Sequence, residues 1–511
     1  MPYFLSLSIS PFAMSLFFGW TFTQNTTAVA GDRGPCCSAL LSSLNSKVSF
    51  PGSAVYTSSL ASYYSLQGPD AAPLCIVSPD TVEDVSAIIE ILTATASSTD
   101  DLEKPLCKFA IRSGGHMDSG SNINGGVTID LRALNAISVN EDRSLASIGV
   151  GATWDEVYNY LDPLGLSVNG GRAAHVGVGG LTLGGGISYT SPRYGFTCDS
   201  VRNFQIVLAN GSIVDAKNDP DLLIALRGGT NNFGIVTRVD IDAFEQGQVW
   251  GGMVYHPTST IAGQIEAFIE LNSQDTYDEY ASQILIFAYT SIMGLIPTSL
   301  IINDIEYTKA ERNPPIFEPI MNLPRYYHSM RLVDMGALAL EGGGAQPKGL
   351  CQTFTVLTFE STASMLYATY DIWQESLSEV KSVSGITWSI SLEPLPPAIY
   401  AKGAGANSLG LGERTKPLVV MLLTAGFKHA SDKAKVEEIS RKLVSDVKAE
   451  AQKQGAYDPW VYLNYAAPWQ DPISSYGEAS LKLLREVRKR VDPLEVFTHG
   501  VPGGFKIKED A

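Results

Sequence analysis

Along residues 33–245 the apolar and β-branched positions fall in short runs broken by glycine-rich turns. Runs at 74–77, 108–111, 126–131, 147–150, 204–207 and 234–241 have the length and composition of strands. Helical patterns at 80–92 and 153–161 lie between them, without a regular strand–helix–strand rhythm, so the expected fold class is α+β. From 246 the runs lengthen, to 283–289, 352–359, 385–392 and 418–423, and predict one antiparallel sheet. Helices at 261–271 and 365–377 are expected to cover one of its faces. The clearest helix, 433–448, spaces Val436, Ile439, Leu443 and Val447 as a single apolar stripe. Residues 402–407 read as a surface loop. Beyond 460 the pattern predicts a strand at 461–465. A helix follows, with Leu484, Val487 and Val491 on its stripe, and Asp492-Pro493 ends it. This last segment is expected to fold back on the first region.

A chain of 511 residues is too long for one core, so two or three domains are expected. Its 53 acidic against 36 basic residues give a formal charge of -17. That balance repels phosphate backbones and argues against a nucleic-acid partner. An apolar run over residues 3–20 precedes Ala28-Val29-Ala30, a small-x-small cleavage pattern, although a basic start is missing. The competing reading is an anchoring helix, but Pro11 and the serines interrupt the run, and it is short for a bilayer span. Residues 1–30 are therefore expected to be a signal peptide, and the mature chain to be secreted without a stable membrane anchor. Six cysteines fit an oxidising compartment. Adjacent Cys36 and Cys37 are expected to bridge to Cys75 and Cys107, in a connectivity the sequence leaves open, while Cys198 and Cys351 read as buried thiols. Asn210-Gly-Ser212 is the glycosylation sequon left in the mature chain.

Three glycine-rich stretches carry the candidate chemistry. In Ile111-Arg-Ser-Gly-Gly-His116 consecutive small residues follow a strand, so that successive backbone N–H groups can converge on an anion such as a pyrophosphate. Arg112 can add charge, although such arginines often serve structure. Residues 176–186 hold six glycines in eleven positions. That many would weaken any helix or strand, and they argue for close backbone approach to a flat or bulky ligand. A dinucleotide fingerprint of the Rossmann type fails here, since neither the downstream acidic residue nor a long helix follows. The third stretch, 225–237, is a glycine-rich turn leading into an apolar strand.

Arg112-Ser-Gly-Gly-His116, the 176–186 run, Tyr194-Gly195, Cys198-Asp199, Asn232-Phe-Gly-Ile-Val-Thr237, Tyr462-Leu-Asn-Tyr465, Tyr476-Gly477, Asp492-Pro493 and Phe497 occur in this order. Together they resemble the berberine-bridge-enzyme group of the vanillyl-alcohol-oxidase flavoproteins over about residues 35–505. Cys36-Cys37 and Pro502-Gly-Gly-Phe-Lys506 look most like its fungal secondary-metabolism members. The resemblance implies a two-lobed PCMH-type FAD-binding domain over 31–245, completed by 459–511. Residues 246–458 would form the substrate-binding domain. It assigns FAD to Arg112, Ser113, Gly114, Gly115, His116, Val176, Gly177, Gly180, Gly184, Gly185, Ile235, Val236 and Asn464, with no metal. His116 corresponds to the histidine bonded to the flavin 8α-methyl. A second, cysteinyl bond falls at Ala173, so a single link is expected, over a more open site. Valine at Val176 corresponds to a gate that admits O2. Tyr465 corresponds to a catalytic base, although Ala466-Ala467 replace the acidic residue that often follows it; His175 is the other candidate.

The implied activity is an oxidase. It would take a proton and a hydride from a small molecule, of polyketide or alkaloid type, with O2 reduced to H2O2 and ring closure as one outcome. An extracellular carbohydrate oxidase and a non-redox isomerase or cyclase are the alternatives.

Overall fold

The computed structural model describes residues 33–97, 107–117, 119–292, 296–344 and 348–509; the expected signal peptide lies outside the described residues. Cys75–Val77, Val127–Asp130 and Phe109–Arg112 pair in parallel, and Val48–Ser49 adds an antiparallel edge. All three parallel strands are buried almost throughout, as sheets covered on both faces must be. Helix Gly34–Leu44 closes over this sheet and is stapled to it. Cys36 bridges Cys107 and Cys37 bridges Cys75, so the adjacent cysteines reach the same end of the sheet on either side of the strand Val127–Asp130. Cys198 and Cys351 are free and buried.

A second, antiparallel sheet runs in the order Ile137–Val139, Leu145–Gly149, Ile235–Glu245, Val201–Val207, Ile213–Asp215, with Leu166–Val168 pairing the far end of the long central strand. Helix Trp154–Leu161 starts beside it, where the Thr153 N–H donates to Glu156 Oε2 at 2.8 Å in a capping box. The Trp154 N–H donates to the Val176 carbonyl at 3.0 Å and so fixes the second glycine stretch to that helix start. Within that stretch the chain makes a short helix, Val178–Leu183, where the glycine content pointed to irregular backbone. One turn is cheap enough for surrounding contacts to impose.

The third sheet has nine strands, antiparallel throughout, drawn from Val249–His256 to Tyr457–Asp458. The expected runs appear here as Ala281–Ile292, Cys351–Glu360, Thr387–Leu395 and Leu418–Phe427. Helices Ile261–Leu271, Ala363–Val380 and Lys433–Lys453 cover one face, and Val436, Ile439, Leu443 and Val447 are buried as the stripe predicted. No helix among the described residues is long and apolar enough to cross a membrane.

The strand predicted at 461–465 does not form. The chain pairs only over Tyr457–Asp458 and then turns through a 3-10 helix, Leu463–Tyr465. Its side chains are pegged to separate elements instead of pairing with a neighbouring strand. Trp460 Nε1 donates to the Leu409 carbonyl at 2.9 Å, and Asn464 Nδ2 donates to the Leu181 carbonyl at 2.9 Å. Helix Glu478–Val491 follows, burying Leu484 and Val487. The chain then returns to the first lobe. Asn232 Nδ2 donates to the Phe505 carbonyl at 3.0 Å, and the Ile507 N–H donates to Asn232 Oδ1 at 3.3 Å. Lys108 Nζ donates to the His499 carbonyl.

Candidate active site

The first two glycine stretches meet backbone to backbone. A Cβ on Gly114 would stand 2.5 Å from the Gly177 N, and one on Gly177 would stand 2.3 Å from the Gly114 N. No side chain fits between them, so both positions require glycine. Ser113 Oγ donates to the Val150 carbonyl at 2.6 Å and anchors the loop. The Gly115 carbonyl accepts the Tyr64 N–H at 3.2 Å. A Cβ on Gly180 would meet nothing within 4 Å; this glycine faces open space. Gly184 lies against Asn464, whose Oδ1 would be 2.0 Å from an added Cβ, and the Gly185 carbonyl accepts the Cys198 N–H. Val176 is half-buried. Ile235 and Val236 are buried at the start of their strand, opposite Val207 and Ile206.

Arg112 is turned inward. Its guanidinium donates to the Ser59 carbonyl at 2.7 Å and to Ser62 Oγ at 2.7 Å, and lies over the Tyr63 ring. Asp130 is 3.7 Å away. The residue ties its strand to the helix Ala54–Ala61.

His116 stacks on Tyr64, with ring centroids 4.1 Å apart, and has Phe354 beyond. Its Nδ1 is buried without a hydrogen-bond partner. Burial, reinforced by Lys348 and His175, pulls its pKa down to about 4, so the ring is neutral and its lone pair is free at neutral pH. An orphaned, neutral ring nitrogen beside two glycine backbones fits a histidine that carries a planar cofactor. Tyr64, Phe354, Leu422 and Tyr465 form one small apolar cluster, which brings Tyr465 to the same place from the far end of the chain.

The Tyr465 hydroxyl sits between two opposite charges. Arg172 Nη2 donates to it at 2.7 Å, and it donates to Glu393 Oε1 at 2.8 Å. Arg172 Nη2 also reaches Glu393 Oε2 at 2.7 Å, closing a buried triangle. Burial drives the phenol pKa upward; Arg172 opposes this and Glu393 adds to it, leaving it well above the ordinary value. Burial alone would lower the Arg172 pKa, but Glu393 and Tyr465 hold the guanidinium charged.

Sequence reasoning missed both Arg172 and Glu393. Arg172 stood in Gly170-Gly-Arg, and Glu393 was the single acid in an apolar strand. Glu393 reaches the Tyr465 hydroxyl from the third sheet, although Ala466-Ala467 place no acid beside that tyrosine in the sequence. His175 stands outside this triangle. It is 49% exposed, its N–H donates to Asp155 Oδ1 at 2.7 Å, and its backbone has a positive φ of 65°. Two strands away in the same sheet, Asp304 and Glu306 on Ile296–Tyr307 form a buried acid pair. Burial lifts both pKa values, and Asp304 drives that of Glu306 further up. No group of metal-ligating side chains occurs among the described residues.

A separate groove of about 1070 Å³ runs over the outer face between Glu90, Ile213 and Leu494, and none of the candidate residues lines it. Arg172 and Glu393 instead border a small internal space of about 30 Å³.

A family described as an FAD binding domain matches residues 73–217. FAD-dependent monooxygenase tpcD of Cochliobolus heterostrophus is 35% identical over 516 residues, covering 94% of this chain and 96% of that protein. Oligopeptidase PhomG' of Diaporthe leptostromiformis is 41% identical over 473 residues, or 91% of this chain, but the chain spans only 36% of that protein's length. Among solved structures, berberine bridge enzyme from Eschscholzia californica superimposes with a TM-score of 0.73 at 18% identity, covering 93% of this chain and 100% of that one. A glucooligosaccharide oxidase from Acremonium strictum does so with a TM-score of 0.71 at 19% identity, covering 93% and 100%. Structures this distant in sequence report a common fold. With a full-length relative at 35% identity and the fold of berberine bridge enzyme, the chain belongs to the berberine-bridge-enzyme-like family of FAD-linked oxidoreductases.

Proposed function

We propose that this chain dehydrogenates a small secondary metabolite of polyketide or alkaloid type and passes the electrons to O2, releasing H2O2. Residues 31–245 and 459–511 hold FAD, and 246–458 face the substrate. His116 carries the cofactor through Nδ1. The orphaned, neutral state of that atom supports this reading, as does the 8α-N1-histidyl FAD named for the Acremonium enzyme. That enzyme also has a 6-S-cysteinyl bond; Ala173 offers no sulfur, so the link here is single. The two disulfides favour an oxidising compartment, and exposed Asn210 can accept a glycan there.

The buried triangle of Arg172, Tyr465 and Glu393 carries the proposal. FAD supplies a hydride acceptor. Tyr465 takes the proton from a substrate hydroxyl while its own passes to Glu393 Oε1, 2.8 Å away. Arg172 fixes both partners and balances the charge that arrives. Tyr64, Phe354 and Leu422 keep water from the same space. His175 has only Asp155, 3.6 Å from its Nδ1, and half of its side chain is exposed, so we assign the base to the buried Tyr465.

The test combines oxygen uptake with product analysis on parallel panels of phenolic or alkaloid metabolites and of oligosaccharides. One H2O2 per substrate oxidised, with no ¹⁸O from ¹⁸O2 in the product, is expected on the metabolite panel. Label in the product would replace the oxidase reading with the monooxygenase named for the fungal relative, and turnover confined to sugars would replace the substrate class. Tyr465→Phe should slow anaerobic cofactor reduction about 10²–10⁴-fold.

A further inference from the structure

Arg112 is the cation that the sequence places in the first glycine loop, yet its guanidinium is held by Ser59 and Ser62. A pyrophosphate cradled by backbone N–H groups is held more tightly when a positive charge stands beside them. Another cation reaches the same region from the end of the chain. The turn at Pro502-Gly-Gly presses on Gly120, in the segment that continues the first glycine loop beyond His116, where a Cβ on Gly503 would lie 2.6 Å from the Gly120 Cα. A Cβ on Gly504 would lie 3.4 Å from Asn231 Oδ1, in the third glycine stretch. Lys506 therefore stands where the first and third stretches come together.

The backbone on both sides of Lys506 is clamped. The Phe505 carbonyl and the Ile507 N–H are bonded to the same Asn232 amide, and Arg488 Nη1 donates to the Ile507 carbonyl at 2.7 Å. Its ammonium donates to Asn231 Oδ1 at 2.9 Å, a neutral acceptor. Among the described residues no carboxylate lies within ion-pair distance of it. Lysine is almost never buried unless paired, and an ammonium has three donors to satisfy. The side chain is half-buried, not sealed, as the wall of an internal cleft would be. Burial lowers its pKa to about 7, against a pull upward from Asp492.

We propose that Lys506 is a ligand of the FAD pyrophosphate, supplied by the C-terminal strap across the junction of the first and third glycine stretches. The assignment rests on the FAD reading of that site. The bound dianion favours the charged ammonium, so binding draws a proton onto Nζ.

The test uses the full chain carrying His116→Ala, so that binding is reversible, with and without Lys506→Met or Lys506→Arg. FAD, ADP, adenosine and riboflavin are titrated calorimetrically at pH 8 in two buffers of different ionisation enthalpy. Lys506→Met should weaken FAD and ADP about 10- to 100-fold and leave adenosine and riboflavin unchanged. Lys506→Arg should restore most of the loss. FAD binding by the Lys506 chain should take up protons at pH 8, an uptake absent in Lys506→Met. Equal melting temperatures of the ligand-free proteins would show that the loss is not one of folding; a melting temperature lowered in Lys506→Met and restored in Lys506→Arg without restored affinity would overturn the proposal. So would FAD binding that ignores Lys506→Met, or an equal loss for adenosine and ADP. A Lys506 chain that binds neither FAD nor riboflavin would instead overturn the FAD reading itself.

Discussion

The Tyr465 hydroxyl is held by a cation that lowers its pKa and an anion that raises it, and the balance depends on Arg172. Replacing Arg172 by methionine removes the lowering influence. The phenol pKa then climbs further, so the rise of cofactor reduction with pH moves to more alkaline values. An anaerobic stopped-flow profile that keeps its wild-type midpoint in Arg172→Met would remove Arg172 from the mechanism. Gly177 offers a second test at this scale. Its added Cβ would meet the Gly114 backbone, which cannot give way as a side chain can. Gly177→Ala is expected to destabilise the protein by about 1–3 kcal/mol and to prevent cofactor loading, read as loss of visible absorbance. Both glycines and His116 were legible in the sequence because their signal is local: a spacing within a dozen residues. Arg172 and Glu393 were not. They are 221 residues apart in the chain, and Tyr465 lies 72 residues beyond Glu393, so no local pattern records their meeting.

Elements with a strong period were read correctly. The stripe of Lys433–Lys453 follows directly from helical spacing, and the long strands of the third sheet from continuous apolar, β-branched runs. The segment 461–465 was misread because its short apolar and aromatic run mimics a strand, while Asn464 and Tyr465 bond to Leu181 and Glu393 on two different elements. Cysteine pairing, left open by the sequence, is decided by which strands the helix Gly34–Leu44 overlies. The two bridges span 71 and 38 residues. Removing Cys36–Cys107 by serine at both positions should cost about 2–5 kcal/mol, seen as a lower thermal midpoint that added reductant no longer shifts as far as in the wild type.

Across the whole molecule, the acid pair Asp304 and Glu306 sets a pH dependence of stability. Burial raises the folded-state pKa of both above the unfolded carboxylate range near 4. Above that range the unfolded chain has released protons that the folded protein still holds. Stability from this pair is therefore complete below about pH 4 and falls as pH rises through the folded values. Glu306→Gln removes the titrating partner, so its stability relative to wild type should grow from pH 5 to pH 7. A constant difference over that interval in thermal denaturation would deny the pair this role. Lys506 titrates in a higher window: its folded value of about 7 lies below the ordinary 10.5, so the ligand-free protein gains stability from pH 7 upward through that group.

The strap of residues 503–507 also constrains when the holoenzyme can come into being. The first glycine loops emerge from the ribosome early, whereas Asn464, Tyr465 and Lys506 follow hundreds of residues later. At about 5–20 residues per second, roughly 13–50 s separate residue 245 from residue 505. Both disulfides can form in that interval, before residues 464–506 have been made. On the role proposed for Lys506, a chain stopped before residue 503 is expected to be disulfide-bonded but colourless, which visible absorbance of the purified protein would check.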